Sequence, residues 1–258
     1  DRTSLDKDSI EKILLKEKIK IMVIEAARYE YLSDEISNLI KEFKKQGGIV
    51  VADEVTSGFR VEKKLAIKKL GINADIVVLG KGLGAGWPIA AVGCDYSHKI
   101  RLEKVFASST FWTEQSGLLA GRLTLKRLEK WDNFYLKLHK NSNLLRESFI
   151  QCFNKANIDL NINSIPTMIT YKFNFNELDE RESSALLVDR MVKKGYLTSS
   201  TIYPTICHSE RENKIFCKNL FDTLNEIIFE INNNPYQVKD YLKTLGHLER
   251  GFSRTQSL

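Results

Sequence analysis

The chain has 258 residues, 43% of them hydrophobic, with 39 Lys plus Arg against 33 Asp plus Glu and a formal net charge of +6, proportions that exclude a disordered tail and allow one or two domains with a sizeable core. No stretch approaches the ~18 consecutive apolar residues of a membrane span, and the first residues (DRTSLDKDSIEKILLKEK) are charged where a secretion signal is apolar, so no membrane association and a cytoplasmic location are expected. The positive charges are spread over many amphipathic segments, which argues for a solvated surface and against nucleic acid as a partner.

In chain order, the first predicted strand is IKIMVIEA (19–26), an apolar run of the kind buried on both faces of a parallel sheet. A helix follows, with Ser33 as its N-cap, Ile36, Leu39, Ile40 and Phe43 on one face, and Gly47-Gly48 as its stop. The next strand, IVVADEV (49–55), is apolar until it delivers Asp53 and Glu54 at its carboxyl end. A short helix over 65–70 stops at Gly71, and a third strand (74–79, ADIVVL) runs into Gly80-Lys81-Gly82. This alternation predicts an α/β architecture with parallel strands, whose ligands sit beyond the carboxyl ends of the strands. A short strand at 89–92, a helix at 96–104, and a helical stretch over 114–153 broken at Trp131-Asp132-Asn133 come next. Asn-rich sequence (NKANIDLNINSIP) places a domain boundary between 155 and 156. Beyond it a strand (168–173), a helix over 181–194 closed by Gly195 and a helix over 209–231 predict a smaller α+β unit.

The residues suited to chemistry cluster between Val51 and Thr113. A carboxylate at the end of one apolar strand (Asp53) and a lysine at the end of another (Lys81) are both costly to desolvate, and the pair is either structural or functional. Lys81 sits in GKGLGAGWP, which is not a phosphate-binding G-x-x-x-x-G-K-[ST] loop, because the lysine comes first and no Ser or Thr follows it. A partly desolvated lysine in so glycine-rich a backbone suits imine chemistry, and an aspartate beside it suits holding a pyridine nitrogen protonated. No His/Cys cluster has metal-ligand spacing, so no metal is expected. Four cysteines without a C-x-x-C pair are expected as free thiols.

Asp53-Glu54-Val55-Thr56-Ser57-Gly58-Phe59-Arg60, then Ala74-Asp75-Ile76 through Gly80-Lys81 to Gly86-Trp87-Pro88, with 28 residues from Asp53 to Lys81, resemble the two motifs of the class III (subgroup II) aminotransferases that use pyridoxal phosphate. The resemblance implies that Lys81 forms the Schiff base with the cofactor and shuttles the proton, that Asp53 pairs with the pyridinium nitrogen, and that Val55 packs on the ring face. Thr110 matches a family threonine that binds the cofactor phosphate of the neighbouring subunit; from local sequence alone it serves equally as an N-cap for the helix near Glu114. Glu25 and Arg28 stand where the family has a strand-end Glu-Pro, but the proline is absent, and surface pairing is expected of them. Farther on, Gly195-Tyr196-Leu197 and Cys207-His208-Ser209-Glu210 resemble a pattern of glutamate-1-semialdehyde aminomutase and its relatives, with His208 expected to pack or cap.

The resemblance therefore implies a fold-type I α/β transferase. Residues 1–155 would be the C-terminal part of a large cofactor-binding domain with a mostly parallel sheet, and 156–258 a small α+β domain. The implied activity is aminotransferase or 2,1-aminomutase chemistry on a small-molecule amino donor and carbonyl acceptor. Nothing before Ile19 resembles the family's early strands, its phosphate loop or its ring-stacking aromatic, and the chain opens on Asp1 without a Met. A truncated or split-gene fragment without independent catalysis is the competing expectation. Its partner would be a missing N-terminal half or a second copy in a homodimer, and the apolar edges of the strands at 49–55 and 74–79 would be left open.

Overall fold

The computed structural model describes residues 8, 10, 12, 14, 18–63, 65–106, 108, 110 and 114–245, without the side chains of 100–102. Two compact units divide between Tyr135 and Leu136.

In the first unit, strands β1 (Ile21–Ile24), β2 (Ile49–Asp53), β3 (Ile76–Leu79) and β4 (Ala91–Cys94) form one sheet in that order. β1, β2 and β3 run parallel, and β4 is antiparallel to β3. Helix α1 (Asp34–Lys45) makes the β1–β2 crossover. Ser33 caps it by accepting from the Ile36 N–H at 3.3 Å, acids in its first turn and lysines in its last suit the helix dipole, and Leu39, Ile40 and Phe43 are buried. The chain then turns at Gly47, φ +87°, and Gly48 lies under Phe43, where a Cβ would come 2.3 Å from the ring. Asp75, buried just before β3, accepts from the Val50 N–H at 2.8 Å and pairs with Lys44 of α1, tying the amino ends of two strands to the crossover helix. Helices α2 (Ala66–Lys69), α3 (Tyr96–Glu103) and α4 (Gln115–Lys130) complete the unit.

Three expectations for this sheet are corrected. β2 and β3 are the inner strands, so among the described residues the free edges belong to β1 and β4. Nor is β1 buried on both faces: Ile21 and Val23 are 56% and 65% exposed, and Val92 on β4 is 58% exposed, while Val50 and Ala52 on β2 face the core. β4 also begins two residues later than expected, because Ile89 is held in the preceding loop and the ladder starts at Leu79 opposite Ala91.

In the second unit, β5 (Leu160–Ile162), β6 (Ile169–Phe173) and β7 (Thr201–Ile202) form an antiparallel sheet with β6 in the middle. Helices α5 (Phe134–Lys155), α6 (Glu180–Lys193), α7 (Glu210–Asn233) and α8 (Pro235–Thr244) accompany it. Capping boxes start α6 (Asp179 with Glu182) and α7 (Ser209 with Glu212), and Pro235 occupies the first turn of α8, where its missing N–H costs nothing. The core is aromatic: Phe149 lies 4.7 Å from Tyr171 and 5.0 Å from Phe153, which meets Phe173 edge-on at 5.0 Å. Leu186, Met191, Leu220, Leu224 and Ile227 close over it. Leu145, Phe149, Cys152 and Phe153 of α5 belong to this core, and so the division falls at the first turn of α5, twenty residues before the 155/156 boundary expected from the Asn-rich stretch.

Candidate active site

β2 and β3 are adjacent and parallel, with Asp53 opposite Val78, so their carboxyl ends lie side by side, about 4.8 Å apart. The first delivers Asp53. Its Oδ1 accepts from the Val55 N–H at 3.0 Å, which fixes the carboxylate and leaves Oδ2 without a partner among the described residues. The next residue points the other way, as strand periodicity requires. Glu54 is 1% exposed, accepts from the Ile67 N–H at 2.8 Å and from the Ser57 hydroxyl at 2.5 Å, and so pins the first turn of α2 and the turn after β2 together. Gly58 closes that turn. Its N–H donates to the Glu54 carbonyl at 2.8 Å, and a Cβ there would stand 2.5 Å from the same oxygen.

The second strand end delivers Lys81 at the start of a 3-10 turn, Lys81–Gly84. Its φ of +42° lies in the left-handed region, a strained backbone for a residue with a side chain. Val55 sits beside it, with Cγ1 3.4 Å from where a Gly80 Cβ would be. The Lys81 ammonium donates to Thr56 Oγ1 at 2.8 Å. Lys81 is exposed, together with Gly82 and 85–88, while Leu83 and Gly84 between them are buried.

Behind the loop lies α4, capped by Glu114, whose carboxylate accepts from the Ser116 and Gly117 N–H groups at 2.8 Å each. Hydrogen bonds from Ser116 and Gly117 hold the Glu114 carboxyl below its ordinary pKa. Two glycines on α4 face the loop. A Cβ on Gly117 would lie 3.0 Å from the Pro88 carbonyl, and one on Gly121 would lie 3.3 Å from Ile89 Cδ1 and 3.6 Å from Leu83. The helix therefore seats directly on the segment that carries Lys81.

The structure thus brings Asp53, Val55 and Lys81 to one end of the sheet. Thr110 is an exposed turn residue; Ser109 and 111–113 of its motif lie outside the described residues. It does not cap α4, since Glu114 holds that position. Glu25 and Arg28 pair with each other, with Arg28 Nη1 at 2.9 and 3.1 Å from the two carboxylate oxygens. His208 accepts from the Thr205 N–H at 3.4 Å in the turn before α7, where Ser209 is the cap. The roles of Glu54 and Thr56 were not legible in the sequence; the one signal was the strand alternation that turns Glu54 inward when Asp53 faces the site.

Elsewhere, Asp75, Asp95 and His98 bring ligand-type atoms within 4.8 Å of one another at the opposite end of β3, but Lys44 already neutralises Asp75, and Asp95 accepts from Ser97 and pairs with His98. A cleft of about 1160 Å³ lies in the second unit between α7 and the β5–β6 hairpin and contains none of the candidate residues. Among the described residues no helix is long and apolar enough to cross a membrane.

Comparison with known proteins gives the same direction. The family model for aminotransferase class-III matches residues 29–210. Glutamate-1-semialdehyde 2,1-aminomutase from Caldicellulosiruptor bescii is 27% identical over 231 residues, 82% of this chain and 52% of the relative. The enzyme of that name from Methanococcus vannielii is 30% identical over 161 residues, 58% of this chain and 36% of the relative. The chain thus spans about half the length, or less, of the curated relatives it matches. Among solved structures, FumI from Sphingopyxis sp. MTA144 in its PLP internal aldimine form superimposes with a TM-score of 0.79 at 17% identity, covering 88% of this chain and 57% of FumI. A transaminase with PLP bound gives the same TM-score at 18% identity, covering 87% and 57%. The fold is that of these transaminases, with a mostly parallel sheet in the first unit and a small α+β unit after it, and the chain belongs to the aminotransferase class-III family.

Proposed function

We propose that this chain forms the Lys81-bearing part of a pyridoxal-phosphate-dependent aminotransferase or 2,1-aminomutase, acting on a small-molecule amino donor and a carbonyl acceptor. The observation that carries the reading is the placement of Asp53 and Lys81 at neighbouring parallel strand ends, with the Val55 side chain against Gly80. When bound, pyridoxal phosphate supplies an aldehyde carbon and a ring that accepts an electron pair. The residues present fit it: a fixed carboxylate with one oxygen unspent, a primary amine three residues beyond Val78 on the next strand, and an apolar side chain beside both. In this reading Asp53 keeps a proton on the ring nitrogen, Val55 packs against the ring face, and Lys81 Nζ takes and returns the proton at the substrate carbon. Thr110 would meet the phosphate of a neighbouring subunit, which makes a homodimer part of the reading.

The remaining half of the fold has to come from other polypeptide, either joined to this chain or separate. The exposed Ile21, Val23, Val92, Leu118 and Leu119 support that expectation, since apolar side chains on open faces favour association. A phosphate cradle and a ring-stacking aromatic would be supplied there. The chain by itself would then be a non-catalytic fragment. Free cysteines suit a cytoplasmic setting.

The test is borohydride reduction of the protein with pyridoxal phosphate, followed by peptide mapping. Label on Lys81 is expected, and label confined to Lys63 or Lys99 refutes the assignment. Co-expression with the other half of a relative is expected to improve solubility and cofactor affinity together; a monodisperse monomer of 1–258 that binds cofactor tightly and transaminates overturns the fragment reading.

A further inference from the structure

The DEVTSGFR motif carries a hydroxyl that the proposed chemistry has not used. Thr56 is 6% exposed, and its Oγ1 accepts from Lys81 Nζ at 2.8 Å. It is the single hydrogen-bond partner that the described residues give Lys81. The Thr56 O–H proton has no acceptor among the described residues. The backbone turn that carries the hydroxyl is also held by three hydrogen bonds. Glu54 clamps Ser57 on one flank, the Arg60 Nε–H donates to the Thr56 carbonyl at 3.2 Å, and the Gly58 N–H returns to the Glu54 carbonyl. A flexible, exposed lysine is therefore tethered to a fixed and buried oxygen.

We propose that Thr56 is a positioning residue for Lys81. The inference rests on the reading of Lys81 as the imine-forming amine. An amine nitrogen that gives one N–H to Thr56 has its lone pair in one of the two remaining tetrahedral positions, so the acceptor narrows the directions from which a carbonyl carbon is attacked. The same oxygen holds the ammonium form in place, because a hydroxyl accepts from either protonation state. When the amine condenses with a carbonyl to C=N, its two protons and the carbonyl oxygen leave as water, and the unspent Thr56 proton lets the hydroxyl switch from acceptor to donor without moving its oxygen. A four-carbon lysine stem with no such anchor samples many rotamers, and only a fraction of them present the lone pair usefully.

The experiment compares the wild type with Thr56→Val, Thr56→Ser and Thr56→Ala, using pyridoxal without its phosphate as the probe, so that no phosphate site is required. Imines are trapped with borohydride at timed intervals, and the labelled Lys81 peptide is quantified by mass spectrometry against labelled Lys99. Loss of the hydrogen bond that orients the amine predicts a drop of about tenfold in the Lys81 rate for Thr56→Val, with Lys99 unchanged and Thr56→Ser within about twofold of wild type. The circular dichroism induced in the imine band should weaken in the same variant, since it reports a fixed orientation. If Thr56→Val does not fold, the Ser and Ala variants, which differ by the hydroxyl alone, carry the same comparison. Label on Lys81 at equal rates in the wild type and the hydroxyl-free variants overturns the role of Thr56 and leaves Lys81 standing. Label that avoids Lys81 in the wild type overturns both.

Discussion

Replacing Glu54 by Ala should unfold the Lys81 end of the first unit, although the neighbouring Asp53→Asn should not. Glu54 is 1% exposed, and its two oxygens take the Ile67 N–H and the Ser57 hydroxyl. Truncation orphans two buried donors, each at about 1–3 kcal/mol, so the loss expected is about 2–6 kcal/mol. Glu54→Gln keeps one acceptor for the Ile67 N–H and turns an NH2 donor to the Ser57 hydroxyl, which can rotate to accept, and this limits its cost to about 1–2 kcal/mol. Asp53→Asn keeps an oxygen for the Val55 N–H, and its cost should stay below about 1 kcal/mol. Urea denaturation of the three variants gives the ordering, and amide exchange at Ile67 localises it, since that N–H loses its buried acceptor only when the Glu54 side chain is shortened. A Glu54→Ala protein with an unchanged midpoint and a protected Ile67 amide would refute the reasoning.

Under the proposed role, Asp53→Asn should instead abolish most amino-group transfer once the rest of the fold is supplied, because an amide would not keep the ring nitrogen protonated; wild-type turnover would remove Asp53 from that role. Asp95, at the other end of the sheet, has its carboxyl lowered to about 2 by hydrogen bonds from Ser97 first and His98 next. A depressed carboxyl pKa contributes its stabilisation above the unfolded value near 4 and loses it as pH falls through about 2, and a carboxyl titration followed by NMR should show that midpoint and its rise in Ser97→Ala. Gly58→Ala would bring a methyl 2.5 Å from the Glu54 carbonyl oxygen, a backbone clash that should lower the thermal midpoint by several degrees in a calorimetric scan.

The elements with strong local signals were readable from residues alone. Ser33 caps α1 as expected, Ser209 starts α7 and Gly195 follows α6. The elements missed carry little local signal: β5 has three residues inside the Asn-rich stretch, β7 has two, and α8 follows α7 after a single residue, Asn234. Asp53 and Lys81 were legible because each ends an apolar strand. Glu54 and Thr56 were not, because their partners lie 13 and 25 residues away, at Ile67 and Lys81, and only the tertiary fold decides which neighbours a buried oxygen meets.

The glycine-faced seat of α4 has a mechanical consequence. At Gly117 the helix backbone rests almost on the Pro88 carbonyl, while at Gly121 it meets the side chains of Ile89 and Leu83, and the segment from Lys81 to Ile89 takes its height above the sheet from the helix. Ile89 and Leu83 can absorb strain by changing rotamer, but the Pro88 carbonyl cannot, so a methyl added at position 117 would transmit as a displacement of the loop there. The reach of the Lys81 amine is in that sense calibrated by two residues more than thirty positions downstream that never approach the chemistry.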